Sequence, residues 1–175
     1  MTKALTVAVL AVLALLLSAC GSNDDATASK AISDSITKAQ KSNNASDLMS
    51  VDKKGADCIG EGWVDEVGTE QLQKYGVLSS DLKAKKAITE VDKMSAKDAK
   101  AASGVLLDCT DVAGMMQRAL AQSGTMPKQM QSCVNKELTE KNIRPFLEKT
   151  FQGKGSEAQE ALGKRMSKCA VGGNP

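Results

Sequence analysis

The chain opens with a short apolar segment that differs from the rest of the sequence and limits which residues can form the fold. After Met1-Thr2-Lys3, which carries one positive charge, an apolar run of about fourteen residues extends from Ala4 to Leu17. A helix that spans a bilayer needs roughly 20 apolar residues, whereas the apolar core of a cleavable export signal has about 7–15. The polar residues 21–25 end the run sharply. The run therefore predicts an export signal, and the fold is expected in the residues that follow it.

The last residues of this segment, Leu17-Ser18-Ala19-Cys20, resemble the lipobox of bacterial lipoproteins. The resemblance covers residues 1–21 and implies cleavage before Cys20, a diacylglyceryl group on its thiol and acylation, with palmitate, of the new amino terminus. Two or more acyl chains hold a protein stably on a membrane, whereas one chain binds only marginally. Cys20 is therefore the predicted lipidation site, and membrane lipid is its predicted partner. An ordinary secretory signal, with a cysteine near the cleavage site by chance, is the alternative.

The predicted organisation of the chain follows from this cleavage site. Residues 1–19 are the signal peptide, and the remaining 156 residues suit a single domain. We predict a lipidated flexible tether over residues 20–29, because Gly21 to about Ser29 are small and polar, and one domain over residues 30–175. The expected location is the outer face of the bacterial cell membrane, or the periplasmic side of an envelope membrane. The oligomeric state is not predicted.

Composition argues against several classes of function. The chain has no histidine, which removes serine–histidine and cysteine–histidine catalysis and the commonest zinc ligand. Four aromatic residues leave little for stacking on bases or sugars, and a net charge near +1 after cleavage gives no support for nucleic acid as a partner. The carboxylate pairs Asp65 with Glu66 and Glu157 with Glu160 are typical of solvated helix faces rather than of a catalytic cleft. We therefore predict no enzymatic activity, no cofactor and no metal.

Four cysteines remain once Cys20 is assigned to lipid, namely Cys58, Cys109, Cys133 and Cys169. An even number of cysteines in an exported chain predicts two disulfides, with buried reduced thiols as the alternative. Zinc is not favoured, because the chain has no Cys-x-x-Cys motif and no histidine.

A weak internal repeat surrounds these cysteines. Cys58 and Cys133 are each followed by apolar residues at offsets of one, five and fourteen, which are Ile59, Trp63 and Leu72 in one copy and Val134, Leu138 and Leu147 in the other. This pattern indicates two duplicated helical units, with chance similarity as the alternative. The repeat does not decide the pairing, because each of the three possible disulfide pairings stays the same when the two copies are exchanged. Loop closure weakly favours Cys58–Cys109 with Cys133–Cys169, and Cys109–Cys133 with Cys58–Cys169 is the runner-up.

Apolar residues at spacings of three and four, bounded by capping residues and glycines, predict an all-α, compact bundle of about seven or eight short helices stapled by the two disulfides. No stretch alternates at period two, so strands are not predicted. Four of the predicted helices cover residues 28–40, 58–67 (capped by Asp57), Thr69 to Tyr75 and 81–91. A further helix begins at a capping box formed by Ser95 and Asp98 and ends near Cys109. Two more begin after Asn142, with Pro145 in the first turn, and after Ser156.

The functional prediction is a membrane-anchored, non-enzymatic cell-envelope lipoprotein that serves protein interaction or envelope support, with an envelope protein as partner. The alternative is a binding module for a small hydrophobic ligand or lipid, because methionines and leucines can line a groove for such a ligand or for an amphipathic helix. A soft-metal site for copper(I) at Met115, Met116, Met126 and Met130 is less favoured. Methionine also fills cores in which aromatic residues are scarce.

Overall fold

The computed structural model describes residues 23–42, 51–86, 90–91, 93–122 and 127–171. The described residues form eight α-helices, and within these ranges there is no β-strand beyond one isolated antiparallel bridge between Leu78 and Ala84. The predicted all-α fold is therefore confirmed. The helices are α1 (Asn23–Ser42), α2 (Lys53–Val67), α3 (Thr69–Lys74), α4 (Ala96–Cys109), α5 (Val112–Gln122), α6 (Lys128–Glu137), α7 (Glu140–Phe151) and α8 (Gly155–Val171).

Five of these helices pack as a series of antiparallel neighbours in the order α1, α2, α4, α7 and α8. The start of α1 lies beside the end of α2, where Thr69 donates a hydrogen bond to Asp25. The end of α2 lies beside the start of α4, because the disulfide Cys58–Cys109 joins the opposite ends of these two helices. The end of α7 returns to the start of α4, where the Met94 amide donates to the Phe151 carbonyl. The starts of α1, α4 and α8 therefore share one end of the bundle.

The larger core lies between α1, α2 and α4 and is centred on Trp63. This side chain is fully buried, and its ring meets the ring of Phe151 edge to face with centroids 5.6 Å apart. Its indole N–H donates to the Ala102 carbonyl at 3.2 Å, which satisfies the one polar atom of the ring. The remaining buried members include Ile32, Ile59 and Leu72, so α1, α2 and α3 all contribute.

Glycines in α2 allow the neighbouring helices to approach closely. A methyl group placed on Gly60 would lie 2.4 Å from the backbone carbonyl oxygen of Ser29 in α1. One placed on Gly62 would lie 2.5 Å from the Val105 side chain in α4. Glycine weakens an isolated helix by about 1 kcal/mol relative to alanine. In α2 these glycines allow α1 and α4 to pack closely against the helix on both sides.

The second core is much smaller and lies among α6, α7 and α8. Its buried members are Val134, Leu138, Ile143 and Cys169, with partly buried leucines, methionines and Val112 packed around them. No residue of α5 is buried. This half of the molecule therefore has little apolar burial of its own, and burial is the main source of folding free energy.

The start of α1 corrects the predicted tether. α1 begins at Asn23 rather than at Ala28, so residues 23–29, which the sequence assigned to a flexible linker, are helical. Ala28 is fully buried, and the Ser29 carbonyl lies against Gly60. Asp24 and Asp25 lie in the first turn, where negative charge stabilises the helix dipole. Small polar residues were interpreted as a linker, although they equally suit the first turn of a helix.

The predicted helix over 81–91 is also wrong. Its described part is a turn, in which the Ser79 amide donates to the Lys83 carbonyl and Leu82 adopts a left-handed conformation with φ 58°. Val77 and Leu78 just before it are buried, Leu78 pairs with Ala84 in the isolated bridge, and the Lys85 amide donates to the Val77 carbonyl. Burial of these two side chains draws the chain across the core and overrides the local helix propensity. Residues 87–89 and 92 lie outside the described ranges.

Three further predicted helix starts are shifted, and the start at Ser95 is confirmed. α8 begins at Gly155, which places Ser156 inside the helix rather than before it. Asp52, not Asp57, caps α2 by accepting from the Gly55 amide. Thr139, not Asn142, precedes α7, which places Pro145 inside the helix rather than in its first turn. The predicted capping box at the start of α4 is confirmed in part, since the Ser95 hydroxyl accepts from the Asp98 amide.

The two predicted units have the same order of elements. Cys58 and Cys133 are each the sixth residue of their helices, α2 and α6. The residues at offsets of one and five are buried in both copies, which are Ile59 and Trp63 in one and Val134 and Leu138 in the other. Each unit then continues through a middle helix into a helix that carries the second cysteine. The connecting parts differ, with α3 and residues 75–95 between α2 and α4 in one unit and α7 between α6 and α8 in the other, so duplication stays a hypothesis.

Candidate functional site

Four of the predicted site residues, the cysteines after Cys20, form two disulfides. Cys58 pairs with Cys109, with Cα atoms 5.6 Å apart, and joins α2 to the last residue of α4. Cys133 pairs with Cys169, with Cα atoms 5.5 Å apart, and joins α6 to α8. This is the favoured pairing, and the runner-up pairing is wrong. Each bridge closes one unit on itself, and none joins the two units.

Cys20, the predicted lipidation site, lies outside the described residues. The described chain begins three positions later, at the first residue of α1. No helix within the described ranges has the length and apolar character needed to cross a bilayer. In the sequence, Gly21 and Ser22 lie between Cys20 and the first described residue.

An open cleft lies at the end of the bundle where α1 starts. Its volume is about 460 Å³, and acidic side chains dominate its charged lining, with Asp24 and Asp25 from α1 and Glu70 from α3 against Lys74. Thr69 donates a hydrogen bond to Asp25 across it at 2.6 Å. Pockets for apolar ligands are lined mainly by apolar and aromatic side chains, so this cleft is unsuited to a hydrophobic ligand.

A second groove of about 340 Å³ lies where α2, α4 and α7 meet. Its floor is made of small side chains on α4, and charged side chains of both signs surround it, including Glu66, Lys97, Lys100 and Arg144. The Arg144 guanidinium lies over Gly104 and pairs with Glu140 at 2.6 Å. The groove therefore has a mixed charge and shows no preference for one sign of ligand.

A third, narrower groove, the α7–α8 groove, runs between α7 and α8. Its apolar lining includes Pro145 and Phe146 from α7 and Ala161 and Leu162 from α8. Arg165 lies at its rim, and its volume is about 80 Å³. Such a volume admits one or two apolar side chains, whereas ligand pockets usually have about 300–1,000 Å³.

Two of the four methionines considered as copper ligands belong to the second core. Met116 and Met130 are partly buried and pack against the second core. Met126 lies outside the described residues, so its predicted alignment with Met130 stays untested. Among the described residues, no three of the cysteine and carboxylate side chains come together as a metal site. The arrangement of Met116 and Met130 is that of core-filling residues.

The perturbed carboxylates belong to surface ion pairs. The Lys30 ammonium lowers the pKa of Asp34, and Lys53, followed by the Ser33 hydroxyl, lowers the pKa of Asp57. Lys83 and the Ser79 hydroxyl lower the pKa of Asp81 to about 2. A general acid at neutral pH needs a raised carboxyl pKa, so none of these three groups suits that role.

The carboxylate pairs considered from the sequence lie on solvated faces. Asp65 and Glu66 are exposed on α2. Glu160 pairs with Lys164 at 2.6 Å within α8, and Glu157 lies 3.3 Å from Lys149 of α7. Glu157 and Glu160 are therefore each paired with a lysine rather than facing one another across a cleft.

The three grooves were not located from the sequence, because each combines residues from two or three different helices. The signal that could have pointed to the α7–α8 groove is the run of small and apolar residues on the exposed side of α8, near Ala161. No family model, curated protein or solved structure matches this chain.

Proposed function

We propose that this protein is a non-enzymatic lipoprotein of the bacterial envelope, held on a membrane by acylated Cys20, whose disulfide-bonded helical domain binds another protein. The observation that carries the proposal is Leu17-Ser18-Ala19-Cys20 at the end of an export-type segment. The two disulfides support it, because such bonds persist in oxidising compartments outside the cytosol.

The short link between Cys20 and α1 determines how the domain would stand on the membrane. Three residue steps separate Cys20 from Asn23, and an extended chain spans at most about 3.6 Å per residue. The start of α1 would therefore lie within roughly 11 Å of the acylated residue. The same end of the bundle holds the starts of α4 and α8, so the ends of α4 and α8 would point away from the bilayer.

Protein interaction is favoured over binding of a small hydrophobic ligand. The α7–α8 groove is apolar but is too small for an acyl chain. The cleft at the start of α1 is large enough, but it is open and carries acidic side chains. Shallow grooves with apolar floors and charged rims are typical of protein interfaces, in which an apolar centre is surrounded by a polar rim.

Lipid attachment can be tested with a single substitution. In cells labelled with a palmitate analogue, the wild-type chain should incorporate the label and partition into the detergent phase, whereas Cys20→Ala should do neither, because the thiol is the attachment point. Ser22→Ala is the matched control, as it changes a neighbouring residue outside the lipobox. Equal membrane partitioning of wild type and Cys20→Ala would contradict the proposal.

A further inference from the structure

The α7–α8 groove combines an apolar floor with positive charge that has no partner. Phe146 and Leu162 are partly buried on its floor, whereas Pro145 and Ala161 are exposed. Arg165 at its rim is exposed, as is Lys168 one turn further along α8. Within the described chain neither cation has an acidic partner, in contrast to Lys164, which pairs with Glu160.

Charge is distributed unequally along the whole molecule. Residues 23–109 contain twelve basic and fifteen acidic side chains, whereas residues 110–171 contain ten basic and six acidic ones. The half of the molecule that holds the α7–α8 groove is therefore cationic, while the half that begins beside Cys20 is anionic. Complementary potentials steer association and disfavour partners of the wrong charge, so an occupant of this groove should be acidic.

The position of the groove indicates which acidic partner it meets. Arg165 is ten residues along α8 from its start, which is about 15 Å at 1.5 Å per residue. The start of α8 shares the end of the bundle that the proposed anchor holds near the membrane. A separation of about 15 Å exceeds the Debye length of roughly 8 Å at physiological ionic strength. In the proposed orientation, Arg165 and Lys168 would therefore lie more than one Debye length from anionic lipid headgroups.

We propose that the α7–α8 groove, together with Arg165 and Lys168, docks an acidic amphipathic helix of another envelope protein. This inference rests on the proposed anchoring, which sets the orientation of the domain. Helix-in-groove recognition uses apolar anchors at spacings of three and four residues. One or two such anchors would occupy the floor near Phe146 and Leu162, while carboxylates of the helix would pair with Arg165, whose guanidinium suits bidentate contacts, and with Lys168.

The test uses the full chain carrying Cys20→Ala, so that no lipid is present, and a labelled synthetic peptide with leucines at helical spacing and glutamates elsewhere. Fluorescence anisotropy measures its binding, and the same peptide with lysines in place of glutamates is the charge control. We expect the acidic peptide to bind and the basic peptide not to bind. We expect Arg165→Glu/Lys168→Glu to weaken binding of the acidic peptide at least tenfold.

The chain offers a matched control for this charge reversal. Lys54 on α2 and Lys85 after α3 are also exposed, and neither has an acidic partner in the described chain. The variant Lys54→Glu/Lys85→Glu changes the net charge by the same amount and should bind the acidic peptide within twofold of the parent chain. Circular dichroism of all three chains checks that each one is folded.

Several outcomes would overturn the docking proposal. These are absence of acidic-peptide binding, equal binding of both peptides, or an equal loss in the two charge-reversed variants. Binding to phosphatidylglycerol vesicles that depends on Arg165 and Lys168 would assign the surface to a bilayer instead. Self-association in sedimentation that depends on the same residues would assign it to a second copy. Because no lipid is attached in this assay, its result is separate from the palmitate-labelling result that tests the anchor.

Discussion

The two disulfides should make unequal contributions to local structure although they close loops of similar size. Their sequence separations are 51 and 36 residues. In the chain-entropy model each bridge stabilises the fold by about 4 kcal/mol, with a difference between them of only ~0.3 kcal/mol. The packing that each one reinforces is very different. Fifteen buried residues form the core beside Cys58–Cys109, whereas four form the core beside Cys133–Cys169.

We therefore expect different results from the two double-serine variants. Cys58→Ser/Cys109→Ser should lose about 4 kcal/mol of global stability and keep its helices packed, because the Trp63 core remains. Cys133→Ser/Cys169→Ser should open α8 locally, since Ala158 and Cys169 are the buried side chains among its described residues. If local opening of α8 becomes easier by about 4 kcal/mol, its amide protons exchange roughly 10²–10³-fold faster.

Hydrogen exchange followed by mass spectrometry, read separately for peptides from α2 and α8, measures this difference. The predicted pattern for Cys133→Ser/Cys169→Ser is fast exchange in α8 with nearly unchanged exchange in α2. If α8 stays as protected as in the wild type, or if both variants lose protection uniformly along the chain, the argument from unequal cores is wrong.

Three further predictions follow from single positions. Gly60→Ala should destabilise the fold by about 1–3 kcal/mol, because its methyl group would meet a backbone oxygen of α1. Gly163→Ala, whose methyl group meets nothing within 4 Å, should raise the thermal midpoint instead; the opposite order would refute the close-packing argument. Ser103 is fully buried, and its hydroxyl has no hydrogen-bond partner in the described chain. In urea unfolding, Ser103→Ala should therefore leave the free energy of unfolding unchanged or raise it by up to ~1 kcal/mol. A clear decrease in that free energy would show that the hydroxyl has a partner. By NMR titration, Asp81 should show a pKa of about 2, and Lys83→Met should move it towards the ordinary 3.8. Because the folded pKa is lowered, the stability that Asp81 contributes is present above about pH 3.8 and is lost as the pH falls through about 2.

Features carried by local sequence were predictable, including the all-α class, the capping Ser95 and the ends of α2 and α4. The disulfide pairing was only weakly favoured, because loop closure depends on the logarithm of loop length and separates the alternatives by little. The structure decides between them through the packing of α2 on α4, which brings Cys58 and Cys109 together.

The features that were missed depend on tertiary contacts. The start of α1 at Asn23 depends on Ala28 and Ser29 packing against α2, and the sequence of residues 21–29 does not reveal this contact. The turn at 79–83 replaces a helix because Val77 and Leu78 just before it are buried against the larger core. The α7–α8 groove likewise forms from two helices whose exposed faces meet only in the folded molecule.

The central claim is that the five cysteines divide into one that carries lipid and four that form two bridges within the folded units. Intact mass combined with non-reducing peptide mapping of protein from the membrane fraction tests this division directly. We expect an amino-terminal peptide that begins at Cys20 and carries a diacylglyceryl group, with disulfide-linked peptides that contain Cys58 with Cys109 and Cys133 with Cys169. An unmodified Cys20, or a disulfide between Cys20 and any of the other four cysteines, would contradict it.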